Sequence, residues 1–326
     1  MILGWIDPKG RKVELDDPFA TMKTGVPRRI LWDMAEHDES DERHQGDRLT
    51  VTGPNGCPRQ LALTRMFDVY VNPQKFWTMT AGTHLHKTFG TLHIDERGSD
   101  GLPVWYTEEG HPEKCTFEGV IGGRKVGCLL DMVSRNAYDG IDYDGVREGP
   151  YNDGTIAIWD WKTSMNGASK WAGKEKQGKQ WVTTGKAKPG HMAQLNMGRL
   201  LMEQRIGRPF TPNELVMCAW ACSISWVDTY ADFLTWEQIR ELRTTGEPYT
   251  YTYGQLFDVI GQLFDDWQEA AIPYEGDIDA VPEEKKLEMV RALPVYGREM
   301  YQSRYGTSSC DNCAVQWMCN QVDGGI

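Results

Sequence analysis

Residues Ile156-Ala157-Ile158-Trp159-Asp160-Trp161-Lys162-Thr163-Ser164 form an apolar run that ends in charge. The β-branched and aromatic residues of this run predict a buried strand. Side chains alternate along a strand, so Asp160 and Lys162 point to the same side, roughly 7 Å apart. A carboxylate can hold Mg²⁺ or Mn²⁺, and a neighbouring ammonium can orient or polarise a water molecule. This pair is therefore the strongest catalytic candidate in the sequence.

A second carboxylate follows another apolar segment. Gly127-Cys128-Leu129-Leu130 leads into Asp131, and a neighbouring strand would bring Asp131 toward Asp160. Two carboxylates that converge on one point repel each other unless a cation lies between them. An Asp at a strand end is also a common cap or turn residue, and the pattern leaves both interpretations open.

The charge and hydropathy of the chain limit the classes of protein to which it can belong. The 326 residues carry a net charge of −12, so any DNA binding must use local basic patches. The longest apolar stretch, near residues 215–226, is too short to cross a bilayer, and we expect no membrane association. The first residues reach charge at Asp7 and Lys9, too soon for a signal peptide. We therefore predict a cytoplasmic protein with reduced cysteines.

The order of the predicted elements indicates the fold class. Helices are predicted over 58–71, 81–96 and 191–204, and strands over 116–121, 126–134, 155–162 and 215–232. A capping box at Thr235 and an amphipathic pattern over 256–267 predict two further helices. This order predicts an α/β fold with a small mixed sheet flanked by helices. We expect an irregular segment over 1–50, a core over 51–235 and a helical region over 236–326.

Three cysteines near the C-terminus have the spacing of a metal site. Cys310, Cys313 and Cys319 form C-x2-C-x5-C, and Cys57, just before a predicted helix, is the candidate fourth ligand. A structural zinc site has the same spacing as an iron–sulfur site. The remaining cysteines lie in apolar segments and are expected in the core: Cys115, Cys128, Cys218 and Cys222.

The segment 162–188 is the most basic part of the chain, with one acidic residue, Glu175. Basic residues interleaved with aromatics suit a single DNA strand, because cations follow the phosphates and rings stack on bases. A solvated loop is the competing interpretation. The residues predicted to contact DNA here are Lys170, Lys174, Lys176, Lys179 and Trp181.

Taken in order, these pieces resemble the RecB-like branch of the PD-(D/E)XK nucleases. The resemblance is carried by Cys57-Pro58-Arg59, Gly82-x-x-x-His86, Asp131, Asp160-Trp161-Lys162, Gln194 and the C-terminal cysteines. It spans residues 57–319. Within this branch, the chain most specifically resembles the iron–sulfur members, which are the CRISPR-associated RecB-like exonucleases and the nuclease domain of AddB. It implies a restriction-endonuclease-like core and a helical iron–sulfur lobe formed by the chain ends. A stand-alone, phage-encoded exonuclease fits this pattern.

The resemblance also implies roles for individual residues. His86, Asp131, Asp160 and the Trp161 carbonyl would bind Mg²⁺ or Mn²⁺, Lys162 would be the catalytic lysine, and Gln194 would position the DNA or the active site. The four cysteines Cys57, Cys310, Cys313 and Cys319 would hold a 4Fe–4S cluster, and Arg59 would contact DNA. One departure is Gly198, where the family pattern Q-x-x-x-Y has Tyr.

The expected function is hydrolysis of phosphodiester bonds in DNA by a metal-activated water, as an exonuclease acting on ends or single strands in recombination or repair. The expected partners are DNA and a helicase or recombination protein, since the chain has no P-loop pattern of its own. The alternatives are a non-catalytic DNA-end-binding or adaptor protein with the same fold, and a zinc-stabilised protein with an accidental D-x-K.

Overall fold

The structure, a computed structural model, describes residues 2–40, 49–92, 94–97, 101, 103–134, 156–164, 174–177, 180–183, 185–211, 215–222, 225–245, 251–294, 310 and 313–322. The chain divides into two compact units. We call Met1–Ala81 with Thr245–Ile326 the end unit, and Gly82–Thr244 the central unit. Both chain ends belong to the end unit.

The end unit combines short strands with helices. Its strands are β1 (Ile2–Ile6), β2 (Lys12–Glu14), β3 (Leu49–Thr50), β4 (Val69–Val71) and β15 (Tyr251–Thr252). Its helices are α1 (Ala20–Thr24), α2 (Arg28–Ser40), α3 (Pro58–Met66), α8 (Tyr253–Ala271), α9 (Glu283–Ala292) and α10 (Gln316–Val322). Strand β1 pairs antiparallel with β2 and parallel with β4.

Helix α8 supplies much of the apolar core of the end unit. It begins at a capping box, in which the Thr252 side chain accepts the Gln255 amide and the Gln255 side chain accepts the Thr252 amide. Residues three and four apart on α8 face inward together, as an amphipathic helix requires. The fully buried residues of this face are Tyr253, Leu256, Phe257, Ile260 and Leu263.

The central unit contains the remaining elements. Its strands are β5 (Trp105–Thr107), β6 (Thr116–Ile121), β7 (Arg124–Leu129), β8 (Met132–Ser134), β9 (Ala157–Ser164), β10 (Lys174–Gln177), β11 (Gln180–Thr183), β12 (Leu215–Cys222) and β13 (Ser225–Tyr230). Its helices are α5 (Pro112–Cys115), α6 (Pro189–Ile206) and α7 (Trp236–Glu241). Helix α4 (Pro73–Leu92) and strand β14 (Arg243–Thr245) each span a boundary between the units.

A five-stranded mixed sheet with the order β13-β12-β9-β8-β5 organises the central unit. Strand β9 lies in its middle, parallel to β12 and antiparallel to β8. The first half of β9 is buried, with Ala157 and Ile158 fully inaccessible and Trp159 5% exposed. Burial from both sides explains why this strand reads as a continuous apolar run. The α/β class and the small mixed sheet flanked by helices are confirmed.

Several predicted boundaries were wrong. The predicted helix over 58–71 is α3 followed by β4, because residues 69–71 pair with β1. The predicted strand over 126–134 is two strands, β7 and β8, interrupted at Asp131. Within the basic segment, β10 and β11 form an antiparallel hairpin rather than a loop. Residues 69–71 and Asp131 differ because they contact strands distant in the sequence, β1 and β9.

Two smaller predictions have clear outcomes. The capping box at Thr235 is confirmed: the Thr235 side chain accepts the Gln238 amide, and the Gln238 side chain accepts the Thr235 amide. Within the described ranges, no helix combines the length and apolar character that crossing a bilayer requires.

Candidate active site and cysteine cluster

Strand β9 brings Asp160 and Lys162 to one side, as predicted. The Lys162 Nζ lies 2.6 Å from the Asp160 Oδ2, and the two side chains are 22% and 8% exposed. The contact has the distance of an ion pair without the angles of a well-oriented hydrogen bond. The pair lies in the middle of β9, where a buried carboxylate needs a compensating positive charge such as the Lys162 ammonium.

Asp131 reaches this site through the break between β7 and β8. Its Oδ2 accepts the backbone amide of Trp161 at 2.5 Å. Because Trp161 stands between Asp160 and Lys162 in the chain, this bond fixes Asp131 beside those two residues. The predicted strand is interrupted at Asp131, and this break turns the Asp131 carboxylate toward β9.

His86 approaches from helix α4. Its Nδ1 lies 3.6 Å from the Asp131 Oδ1, with the two side chains 27% and 14% exposed. That separation is longer than an ordinary hydrogen bond. The competing His84 is exposed, and His93 lies outside the described residues. His86 is thus the imidazole that the structure brings to the carboxylates.

Gln194 completes the group from helix α6. Its Nε2 donates to the Asp160 Oδ1 at 2.8 Å, so the two oxygens of Asp160 face Gln194 and Lys162. One turn further along the helix stands Gly198, where a Cβ would lie 2.9 Å from the Leu130 Cδ2 and 3.3 Å from the Cys128 Sγ. The helix packs too closely there for a Tyr, which accounts for the departure from Q-x-x-x-Y.

The two carboxylates titrate differently. Burial raises the pKa of Asp160, and the negative charge of Asp131 raises it further, against the partial opposition of Lys162 and His86. Burial also acts to raise the pKa of Asp131, but the close approach of His86, the charge of Lys162 and the Trp161 amide outweigh it and lower that pKa. The environment thus shifts the pKa values of the two carboxyl groups in opposite directions.

His191 is a site residue that sequence reasoning did not select. It precedes Gln194 by three residues on α6, which puts both on the same helix face. Burial lowers the pKa of His191 to about 3, and the charges of Lys162 and Lys188 act in the same direction. The spacing to Gln194 was the one available signal, and a single His on a helix is weak evidence alone.

The chemistry of the donors fits a divalent cation. Two carboxylates and a carbonyl are hard oxygen ligands suited to Mg²⁺ or Mn²⁺, and imidazole suits Mn²⁺. Among the residues that the structure describes, no group of three or more His, Cys, Asp or Glu has the arrangement that holds a metal ion. Lys162 neutralises Asp160 in this arrangement, and a bound cation would supply charge to the same carboxylates.

The four candidate cysteine ligands lie in one neighbourhood of the end unit. Burial, together with the nearby thiols of Cys57, Cys310 and Cys319, raises the pKa of the Cys313 thiol to about 11. The Cys313 amide donates to the Cys310 carbonyl at 3.0 Å, so the C-x2-C pair forms a tight turn. None of the four is in a disulfide. The structure therefore shows that the four thiols lie close together, but it does not show a preformed ligand geometry.

The other cysteines have different environments. Cys115 and Cys128 are buried in the central unit, which confirms their prediction as core residues. Burial raises the pKa of Cys115 to about 12 and raises the pKa of Cys128 as well. Such thiols are unreactive. Cys218 and Cys222 lie on β12, of which the structure describes the backbone.

The predicted DNA-contacting residues have mixed outcomes. Arg59 is 4% exposed, and its Nη2 donates to the carbonyls of Arg291 and Leu293 at 3.1 and 3.0 Å. The structure thus gives Arg59 a role in joining α3 to the end of α9, away from solvent. For Lys174, Lys176 and Trp181 the structure describes the backbone, in the β10–β11 hairpin, where Lys176 pairs with Trp181. The predictions for Lys170 and Lys179 lie outside the described residues.

Comparisons with known proteins give little similarity. No family model matches the chain, and no curated protein matches it significantly. One solved structure, titled "Crystal structure of SSO0001", has a TM-score of 0.38 and 13% sequence identity, covering 72% of this chain and 84% of that one. A likeness at that TM-score supports no assignment of fold family or function.

Proposed function

We propose that the protein is a metal-dependent DNA nuclease with a restriction-endonuclease-like PD-(D/E)XK core. The observation that carries this proposal is the convergence of side chains from helices α4 and α6 and from the break before β8 on the middle of β9. These residues are His86, Asp131, Asp160, Lys162 and Gln194. Apart from Asp160 and Lys162, they are well separated in sequence, and they are the residues to which the resemblance gave roles at one site.

The charges of the site suit phosphodiester hydrolysis. When bound, Mg²⁺ or Mn²⁺ supplies Lewis acidity and activates a water for attack on phosphorus. The Lys162 ammonium lies 2.6 Å from Asp160, and beside a bound phosphate it would offset the negative charge that develops there. Gln194 orients Asp160, and the Trp161 amide orients Asp131. Each carboxylate is thus fixed by a contact separate from the cation.

The chain ends carry the second part of the proposal. Cys57, Cys310, Cys313 and Cys319 would hold a 4Fe–4S cluster, which their shared neighbourhood supports. Three of these cysteines follow one another closely near the C-terminus, and the fourth begins α3. A cluster there would join segments more than 250 residues apart in the chain, and so act mainly on stability.

DNA is the proposed substrate, and the β10–β11 hairpin is the proposed DNA contact. The hairpin follows β9 in the chain and carries Lys174, Lys176 and Trp181. Action on DNA ends or single strands, a cytoplasmic location and a helicase or recombination protein as partner remain part of the proposal.

Incubation of the pure, full-length protein with end-labelled single- and double-stranded DNA tests this function. Mg²⁺ or Mn²⁺ should produce shortened products, and EDTA should prevent them. Binding of DNA without any cleavage under either cation would instead favour the adaptor alternative. A folded protein that neither binds nor cleaves DNA would contradict both.

A further inference from the structure

An aromatic contact joins helix α4 to strand β9 beside the candidate active site. The rings of Phe89 and Trp161 have centroids 5.3 Å apart and planes tilted by 42°. Tilted pairs at this distance are favourable beyond the apolar area they bury. Trp161 alternates with Asp160 and Lys162 along β9, so its ring leaves the strand on the side opposite to those two side chains.

The same two residues connect to both partners of the His86–Asp131 interaction. Phe89 follows His86 by three residues on α4, so the two side chains are neighbours on one helix face. The Trp161 backbone amide holds the Asp131 Oδ2 at 2.5 Å. The ring contact thus sets the distance between the element that carries His86 and the residue that holds Asp131.

Among the neighbouring residues of α4, Phe89 is the one whose side chain attaches the helix to β9. The neighbouring Lys87 and Thr88 are exposed, so they do not attach the helix to the sheet. Gly90 is buried, and a Cβ there would lie 3.0 Å from the Glu109 Cγ, so the helix backbone lies close to the turn after β5. Gly90 permits the close approach of the helix to the turn after β5, and the Phe89 side chain contacts β9.

We propose that Phe89 is a positioning residue for metal binding, acting through Trp161 to hold His86 against Asp131. This inference rests on the proposed function, because it requires His86 and Asp131 to share a cation. The His86 Nδ1 and the Asp131 Oδ1 are 3.6 Å apart, which leaves room for one ion to contact both. That contact requires α4 to stay fixed. Loss of the ring would let the end of α4 move away from β9, and the affinity for the cation would fall.

The test is Mn²⁺ binding to the full-length protein, purified anaerobically with its cysteine site loaded, depleted of Mg²⁺ and Mn²⁺ and without DNA, measured by electron paramagnetic resonance. Phe89→Leu keeps an apolar side chain but removes the ring, and should weaken Mn²⁺ binding by about tenfold, the scale of residues that orient metal ligands. Phe89→Tyr should restore near-normal binding. Cleavage by Phe89→Leu should recover at saturating Mn²⁺, because every ligand is still present.

Phe210→Leu is the matched control. Phe210 is buried in the central unit and forms a similar ring pair with Phe233, with centroids 6.0 Å apart. It should lower the melting temperature like Phe89→Leu and leave Mn²⁺ affinity unchanged.

Equal Mn²⁺ affinity in Phe89→Leu and the wild type would overturn the inference, as would an equal loss in Phe210→Leu. In either case the wild type would still bind Mn²⁺ and cleave DNA, so the proposed function would stand. A wild-type protein that binds no Mn²⁺ would overturn both.

Discussion

At the scale of single residues, the carboxyl groups of Asp131 and Asp160 have opposite pKa shifts within one site. Asp131 gains the amide of Trp161 and the close approach of His86, whereas Asp160 is more deeply buried and next to a second negative charge. The negative charge of Asp131 raises the pKa of Asp160, and a cation bound between the two carboxylates would relieve that repulsion.

Asp7 gives a pH prediction that is independent of the active site. Its Oδ1 accepts the amides of Lys9 and Arg11, and its Oδ2 accepts the Arg11 guanidinium at 2.8 Å. Hydrogen bonds from the Arg11 amide, the Arg11 side chain and the Lys9 amide lower the pKa of Asp7 despite its burial. A lowered folded-state pKa adds stability above the unfolded value of 3.8, and that stability is lost as pH falls through the folded value.

We therefore expect Asp7→Asn to lower the free energy of unfolding at pH 7 by roughly 1–3 kcal/mol, the range for hydrogen bonds to a charged group. The difference from wild type should persist down to about pH 4 and shrink at lower pH. Urea unfolding at several pH values measures it. A difference that grows as the solution is acidified would contradict this account of Asp7.

At the scale of elements, the local sequence pattern predicted those features that depend on residues close together in the chain. The apolar run of β9, the helix α6 and the Thr235 capping box follow from periodicity and end signals. The break at Asp131 and the short strand β4 depend on partners far along the chain, so the local pattern did not reveal them.

The candidate site divides in the same way. The two-residue spacing of Asp160 and Lys162 was sufficient to predict their shared side. His86 and Gln194 had to be taken from the resemblance, because a lone His or Gln on a helix carries little information. The burial of Arg59 depends on carbonyls more than 230 residues away in sequence, for which no sequence signal exists.

Gly198 gives a prediction at the scale of helix packing. Gly198→Ala would place a Cβ 2.9 Å from the Leu130 Cδ2, closer than real contacts allow. We expect a loss of about 1–3 kcal/mol in the free energy of unfolding, the range for overpacked cores. Gly53→Ala is the control, because its Cβ would meet Thr50 at an ordinary 3.5 Å. Equal melting temperatures for the two variants would show that α6 is free to shift.

At the scale of the whole molecule, each unit carries its own candidate site. The end unit has the cysteines and both chain ends, and the central unit has the charged residues around β9. This separation means that the two sites can be tested independently, one through metal content and stability and the other through cleavage.

The cysteine proposal predicts a brown protein that contains iron after anaerobic purification. Replacing Cys313 should remove the iron and lower stability by roughly 5 kcal/mol, because the cluster closes a very long loop between Cys57 and Cys310. Cys115→Ala, a buried cysteine of the central unit, should keep the iron. Metal analysis and thermal unfolding measure both effects, and a colourless protein with one equivalent of zinc would refute the iron–sulfur assignment.

The most direct test of the central claim compares DNA cleavage with Mn²⁺ binding in Asp160→Ala, Lys162→Ala and the exposed control Lys114→Ala. Asp160→Ala should lose both metal binding and cleavage. Lys162→Ala should bind Mn²⁺ yet cleave DNA roughly 100-fold more slowly or worse, because it lacks the charge that stabilises the transition state. Lys114→Ala should match the wild type. Near-normal cleavage by a folded Asp160→Ala or Lys162→Ala protein would contradict the assignment of the active site to Asp160 and Lys162 on β9.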